Sequence, residues 1–375
     1  MMATIPTTTV PAQSSPAQGT VVGNLTLASL PMPQYSDGRT RTIRIWTPAN
    51  YDAANTNVRY PVFYMHDGQN LFDASTSYAG EWEVDESISN LVGNGYRGVI
   101  VVGIDNSADR LNELSPPWPR NPGTPISAPS GDKYASFIVN TVKPYVDARF
   151  NTLPGRDTTG VGGSSMGGII SFYIGLTYPK VFGKVLAFSP SFPLYVKKDY
   201  LATIAATNFS APDAAPRLYF YSGGAGYGAM SENGIAKSLP AVVSALKKAG
   251  YPTSEVKSRV WDIAQHNEGF WATEFPTAFE WLFLAAADKA DIAATTLAIG
   301  FGNGDKPENV TSDVELPTKW DYGARVMWKS SAPKVISSRG KFVRPKFPTR
   351  VTLTATLTLS GQTRTRTFEL QVLVR

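Results

Sequence analysis

The 375-residue chain contains no cysteine and only two histidines, His66 and His266. The first absence excludes disulfides, thiolate zinc sites, iron–sulfur clusters and a cysteine nucleophile. The second argues against a zinc centre built on histidine and confines any catalytic imidazole to two positions. No apolar run approaches the roughly 18 residues of a membrane span; the longest, at 98–104, has the length of a strand. The first 20 residues carry no charge, so they offer neither the basic nor the apolar region of a signal peptide. They read as the flexible start of a mature chain whose signal has been removed, and the expected location is secreted or cell-surface. Charged residues make up 17% and apolar residues 42%, a balance that fits a folded globular protein and not a disordered one.

The net charge of +5 is unevenly placed. Residues 288–375 hold 14 Lys/Arg and 8 Asp/Glu, a net +6, which leaves the larger part at −1. A basic module can attract anionic polymers or surfaces, so contact with a cell surface or polysaccharide is one expectation. A solvated basic face without a partner is the other. The basic residues are scattered along alternating strands and not clustered on a helix or an aromatic platform, which argues against nucleic acid.

Residues 1–20 read as an N-terminal segment and 21–287 as one catalytic domain in which short apolar strands alternate with helical stretches. Strands are expected at 41–47, 60–65, 98–104, 159–162, 184–189, 217–222 and 255–263. Helices are expected at 82–91, 133–150, 167–178, 235–249 and 270–287. That alternation specifies an α/β fold with a mostly parallel sheet. After Lys289 helical periodicity is expected to stop. Strand-like runs at 295–300, 314–316, 325–328, 334–337, 350–359 and 363–374 then suggest a small all-β immunoglobulin-like sandwich over 288–375. The last two runs alternate strictly and flank Ser360-Gly-Gln362, a hairpin signal.

The strongest local signal is Gly163-Ser-Ser-Met-Gly-Gly168. It contains G-x-S-x-G centred on Ser165, between an expected strand and an expected helix, which is the setting a nucleophile elbow requires. The turn is so tight that residues two places either side must be small. The N–H of Met166 then points at the developing oxyanion. A serine nucleophile needs a base, and only His266 lies downstream, in the loop after the strand at 255–263. Of the acids between Ser165 and His266, Asp213 and Glu255 fall at the wrong strand end. Glu232, the only acid between 214 and 254, is the favoured residue to orient the imidazole; Asp262 and Glu268 are the alternatives. The loop after the strand at 60–65, His66-Asp-Gly-Gln-Asn70, offers a second oxyanion donor in the N–H of Gln69, because Gly68 permits close backbone approach. His66 and Asp67 are read as braces of that loop and not as a metal site.

Three segments, Met65-His-Asp-Gly-Gln-Asn-Leu-Phe-Asp73, the elbow and His266-Asn-Glu-Gly-Phe-Trp271, together resemble an esterase family of α/β-hydrolases. That family includes enterochelin esterases, feruloyl and acetyl-xylan esterases, S-formylglutathione hydrolases and mycolyltransferases. The resemblance also takes in 110–113 with Ser115-Pro-Pro-Trp118, and covers roughly 21–287. It implies catalytic roles for Ser165 and His266, with Gln69 and Met166 as oxyanion donors. The sequence departs from the family at the acid: many relatives carry it directly after the strand, whereas Ser222-Gly-Gly-Ala-Gly226 has none before Glu232. A glutamate further along is a feature of the mycolyltransferase branch. The segment Trp328-Lys-Ser-Ser-Ala-Pro-Lys-Val-Ile-Ser-Ser-Arg-Gly340 resembles a bacterial immunoglobulin-like module, which implies an extracellular address.

The expected activity is hydrolysis of a carboxylic ester through an acyl-enzyme, with no cofactor or metal. The long Pro- and Gly-rich loop at 106–132 carries Trp118, which with Trp82, Tyr195 and Tyr227 is expected to wall a substrate site. An aryl acyl group, such as a feruloyl ester on plant polysaccharide, or an acetyl group would suit it. The rivals are a siderophore-ester, lipid or polyester hydrolase, an acyltransferase, and a non-catalytic surface-binding protein that works through the basic C-terminal domain.

Overall fold

A computed structural model describes residues 19–78, 80–211, 213–226, 231–302 and 304–374. Eight strands form one sheet: β1 (Asn24–Pro31), β2 (Thr40–Thr47), β3 (Val62–His66), β4 (Ile100–Ile104), β5 (Thr159–Ser164), β6 (Lys184–Phe188), β7 (Arg217–Gly223) and β8 (Val256–Trp261). Their order is β1-β2-β4-β3-β5-β6-β7-β8. β1 and β2 are antiparallel additions at one side, and β3 through β8 run parallel. Every residue of β3, β4 and β5 is buried. Burial on both faces is why β3 and β4 read as near-continuous apolar runs instead of alternating ones.

Register decides where the chemistry falls. Met65 of β3 pairs with Gly103 of β4 on one side and Gly162 of β5 on the other. The chain therefore leaves three adjacent strands at one edge, the carboxyl edge where α/β sheets place ligands. Gly223 of β7 pairs with Trp261 of β8, which brings the loops after those strands to the same edge.

Ten helices accompany the strands among the described residues. They are α1 (Val84–Gly93), α2 (Arg110–Glu113), α3 (Gly131–Phe137), α4 (Lys143–Asp147), α5 (Met166–Thr177), α6 (Lys197–Ala206), α7 (Glu232–Ala236), α8 (Leu239–Lys248), α9 (Glu268–Phe283) and α10 (Ala286–Thr296). One core layer holds α1 and α9 against the sheet, and the other holds α3, α5, α6 and α8. The helix expected at 133–150 is α3 and α4 joined by a single π turn, Ile138–Val142. Pro144 lacks the N–H that an unbroken α-helix would use there. The helix expected from 235 to 249 is two, α7 and α8, with Pro240 in the first turn of the second.

Helical structure does not stop at Lys289, as the sequence pattern suggested; α10 runs to Thr296. Its sequence, AADKADIAATT, is rich in alanine, the best helix former, and lacks the large apolar repeat that periodicity looks for. Asp288 accepts the N–H of Ala285 at 2.9 Å and so caps the start. Beyond it, β11 (Arg325–Ser330), β12 (Thr349–Leu359) and β13 (Gln362–Val372) form an antiparallel sheet, while β9 (Gly300–Phe301) pairs with β10 (Val314–Glu315). The segment 334–337 is mostly turn, with one bridge between Ile336 and Phe342. Ser360 and Gly361 both have positive φ, 48° and 79°, and Leu359 pairs with Gln362. That is the geometry of a two-residue hairpin whose twist matches the strands. On β12, Val351 and Leu353 are buried against Val310, Val314 and Ile336, and Ala355 and Leu357 against Ala293 and Leu297. The sheet thus has one buried face, covered by the strand ribbon at one end and by α10 at the other.

Candidate active site

Ser165 stands between β5 and α5 with φ 57° and ψ −117°, a strained conformation of the kind found at functional sites. The turn is held by its N–H, which donates to Phe188 O at 2.9 Å, and by Ser191 N–H, which donates to Ser165 O at 3.2 Å. The neighbouring glycines are required by contact. A Cβ on Gly163 would lie 3.0 Å from the His66 ring, and one on Gly168 only 2.4 Å from Phe188 O. The Ser165 hydroxyl lies 3.4 Å from that of Ser191. Because α5 begins at Met166, the N–H of Met166 has no acceptor within the helix and shares the positive end of its dipole.

His266 follows β8, and its side chain is about one-third exposed. Its Nδ1 lies 2.8 Å from Glu232 Oε1. With Nδ1 on the carboxylate, the remaining lone pair is on Nε2. Trp271 meets the imidazole nearly edge-on, with ring centroids 5.0 Å apart. The Glu232 side chain is 1% exposed. Its Oε2 accepts the Ser222 hydroxyl at 2.6 Å and Gly223 N–H at 2.7 Å. Burial alone would raise its pKa, but hydrogen bonds from His266, Ser189 and Ser222 outweigh burial and hold the carboxyl below its ordinary value. Glu232 therefore carries a fixed negative charge behind the imidazole. Of the alternative acids, Asp262 is exposed in the turn after β8. Glu268 binds Asn70 Nδ2 at 3.2 Å, and burial pushes its carboxyl above the ordinary value.

The loop after β3 is built around Asp67, whose φ is 57°. Its carboxylate takes two hydrogen bonds from Arg110, at 2.6 and 2.7 Å, and one from Asn106 at 2.6 Å. Gly68 passes so close to β4 that a Cβ would lie 2.7 Å from Gly103 C. Asn106 N–H donates to Gln69 Oε1 at 3.2 Å and Thr76 Oγ1 to Gln69 O at 2.7 Å. His66 is buried beneath the elbow with Nδ1 2.9 Å from Tyr134 OH. Burial pushes its imidazole down to about 4, so it is neutral at pH 7.

Ser165, His266, Gln69 and Trp82 line one cavity of about 880 Å³, together with Arg110 and Trp271. Glu232 lies behind His266, and Met166 is buried at the helix start. Trp118 does not belong to this wall. It is 6% exposed and packs against Phe172, Tyr173, Tyr195 and Tyr200, because the loop at 106–132 folds its aromatic ring into the core. Tyr195 is likewise buried, with its hydroxyl 2.8 Å from that of Ser115. Tyr227 lies outside the described residues. Sequence reasoning missed Asp105 and Asn106, which follow β4 and also line the cavity; their place after a central parallel strand was the available signal. It also missed the anchors Ser189 and Ser222, which carry no sequence signal.

A mostly parallel sheet with a strained serine at its carboxyl edge and an imidazole–carboxylate pair in the same cleft defines the class of α/β carboxylic-ester hydrolases. The family model described as "Putative esterase" matches residues 36–323, and the chain belongs to that family. Residues 290–375 match the "Atrophied bacterial Ig domain". Among curated proteins, an uncharacterized protein of Bacillus subtilis, YbbA, is 24% identical over 65% of this chain and 92% of its own. Among solved structures, the siderophore hydrolase EstA from Aspergillus nidulans aligns with a TM-score of 0.55 at 18% identity, over 72% of this chain and 98% of its own. A ferulic acid esterase aligns at 0.51 and 17% identity, over 70% and 98%. At such identities these likenesses describe the fold.

Proposed function

We propose that the protein is a serine esterase with Ser165, His266 and Glu232 as its triad. The observation that carries this reading is the 2.8 Å pairing of His266 with a buried, ionised Glu232 in the cleft that Ser165 lines. In the proposed cycle Ser165 Oγ attacks the ester carbonyl while His266 Nε2 takes the hydroxyl proton. The N–H groups of Gln69 and Met166 stabilise the tetrahedral oxyanion. The imidazolium returns its proton to the departing alcohol, leaving an acyl-enzyme. Water, deprotonated by His266, attacks that acyl group and regenerates the serine. Glu232 stays ionised throughout and stabilises the imidazolium.

The substrate reading is an ester of a hydroxylated aromatic acid, of the feruloyl or catechol type. Trp82 and Trp271 give the cleft one aromatic wall, and Arg110, Asn70 and Asn106 line it with polar groups. The structural neighbour named as a ferulic acid esterase supports that chemistry. Secretion, with the basic C-terminal module in contact with polysaccharide or a cell surface, completes the proposal. It is supported by the net charge of +6 over 288–375. The test is one panel: p-nitrophenyl acetate and longer chains, methyl ferulate, a catecholate-serine ester and feruloylated xylan, with wild type and Ser165→Ala side by side. Turnover and fluorophosphonate labelling are expected in wild type and lost in Ser165→Ala, with methyl ferulate or the catecholate ester preferred. Labelling and turnover that survive in Ser165→Ala would overturn the nucleophile. A preference for long alkyl chains would overturn the substrate.

A further inference from the structure

Either side of Trp82 in the chain, at the start of α1, lies a second cluster that the esterase chemistry does not use. The carboxylates of Glu81, Asp85 and Glu86 each place an oxygen within 4.8 Å of the other two. Asp85 is fully buried, and the other two are half-buried. Glu81 Oε1, Asp85 Oδ1 and Glu86 Oε2 are all buried atoms without a hydrogen-bond partner, and so is Ser89 Oγ. Ser89 is three and four residues beyond Glu86 and Asp85 on α1, hence on the same helix face. Among the described residues no ion pair reaches any of the three acids.

Buried polar atoms are rarely left unpartnered, and an uncompensated buried charge is costlier still. Here three carboxylates converge with an unpartnered oxygen on each, and the Ser89 hydroxyl on the same helix is unpartnered too. Two of the remaining oxygens are used to close the cluster over. Thr20 Oγ1 donates to Glu81 Oε2 at 2.8 Å, and Val22 N–H donates to Asp85 Oδ2 at 2.7 Å. The chain at 19–22 is thereby strapped across the carboxylates. A cation 2.3–2.6 Å from each oxygen, as calcium binds, sets its ligands up to about 5 Å apart. The donor set is oxygen only, which suits a hard cation and gives nothing to zinc or copper.

We propose that Glu81, Asp85 and Glu86 bind a calcium ion, with water and the Ser89 hydroxyl available to fill its shell. The ion would act as a brace. Trp82 N–H donates to Asn70 O at 2.9 Å and Val84 N–H to Leu71 O at 3.1 Å. The segment holding the acids is therefore hydrogen-bonded to the loop that carries Gln69.

The experiment does not depend on esterase activity. Full-length protein is stripped with EGTA, dialysed free of chelator at pH 7.5 and titrated with calcium chloride by calorimetry, and Tm is followed in parallel. One saturable site is expected, with Tm raised by about 5 °C at calcium a hundredfold above Kd. Magnesium at the same concentration is expected to give the smaller shift. Glu86→Gln and Glu81→Gln should each weaken calcium binding at least tenfold. Both should fold, with a calcium-free Tm equal to or above wild type, since each removes a repelling charge. No saturable heat and no calcium-dependent Tm would overturn the site. A calcium response undiminished in both variants would overturn it equally, and the carboxylates would then be a proton-sharing cluster.

Discussion

Charge placement around two imidazoles gives them opposite duties. His266 is about one-third exposed against an ionised carboxylate, while His66 is sealed under the elbow with its pKa pushed down to about 4. Glu232→Gln keeps the shape but removes the charge that, in the proposed triad, stabilises the imidazolium. It is expected to lower kcat by roughly 10³–10⁴-fold with little change in KM, as carboxylate removal does in other triads; a Michaelis series on the preferred ester checks it. His66 governs stability instead. Its folded value lies below the unfolded value of 6.5, so the unfolded chain binds the proton first. Its contribution is complete above about pH 6.5 and is lost as pH falls toward 4, a total of about 3 kcal/mol. Urea unfolding of wild type and His66→Gln between pH 7 and pH 4 isolates this difference. The gap between the two chains should shrink with acid across that window, and a constant gap would refute the assignment.

At the level of elements, what was readable in the sequence is what steric necessity writes there. The elbow is legible because Gly163, Gly167 and Gly168 press against His66 and Phe188, leaving no room for a side chain. This gives a graded prediction. Gly168→Ala forces a Cβ to 2.4 Å from backbone, whereas Gly163→Ala meets the His66 ring at 3.0 Å. Gly168→Ala should therefore cost the more, about 1–3 kcal/mol, seen as the larger drop in Tm. Glu232 was reachable by elimination among few acids. The hydrogen bonds that hold it depend on β6 and β7 being neighbours, a tertiary fact no local pattern carries. Trp118 misled for a related reason: a Pro- and Gly-rich loop marks a surface path for the backbone but does not say which way its one large ring turns. α10 was missed because alanine contributes propensity without periodicity, so its helix is visible only in composition.

Across the whole molecule, α10 is the shared wall of two cores. Ile292 packs into the hydrolase core with α1 and α9, while Ala293 and Leu297 cover Ala355 and Leu357 of the C-terminal sheet. The sheet grips the same helix with charge. Arg364 of β13 pairs with Asp291, and Arg366 donates to the carbonyls of Ala294 and Thr295 at the helix end, where the dipole favours a cation. Among the described residues, none that lines the candidate cavity comes from beyond Trp271. A chain ended after Leu297 should therefore retain turnover of a small soluble ester, yet lose Tm and self-associate, because one apolar stripe of α10 is bared. A chain ended after Leu284 also removes Ile292 from the hydrolase core and should fall further in Tm and lose turnover with it. Running both against full-length protein in calorimetry and ester hydrolysis separates the two cores. If the longer truncated chain loses activity at its full-length Tm, the C-terminal sheet acts on the cleft and is not merely docked to it.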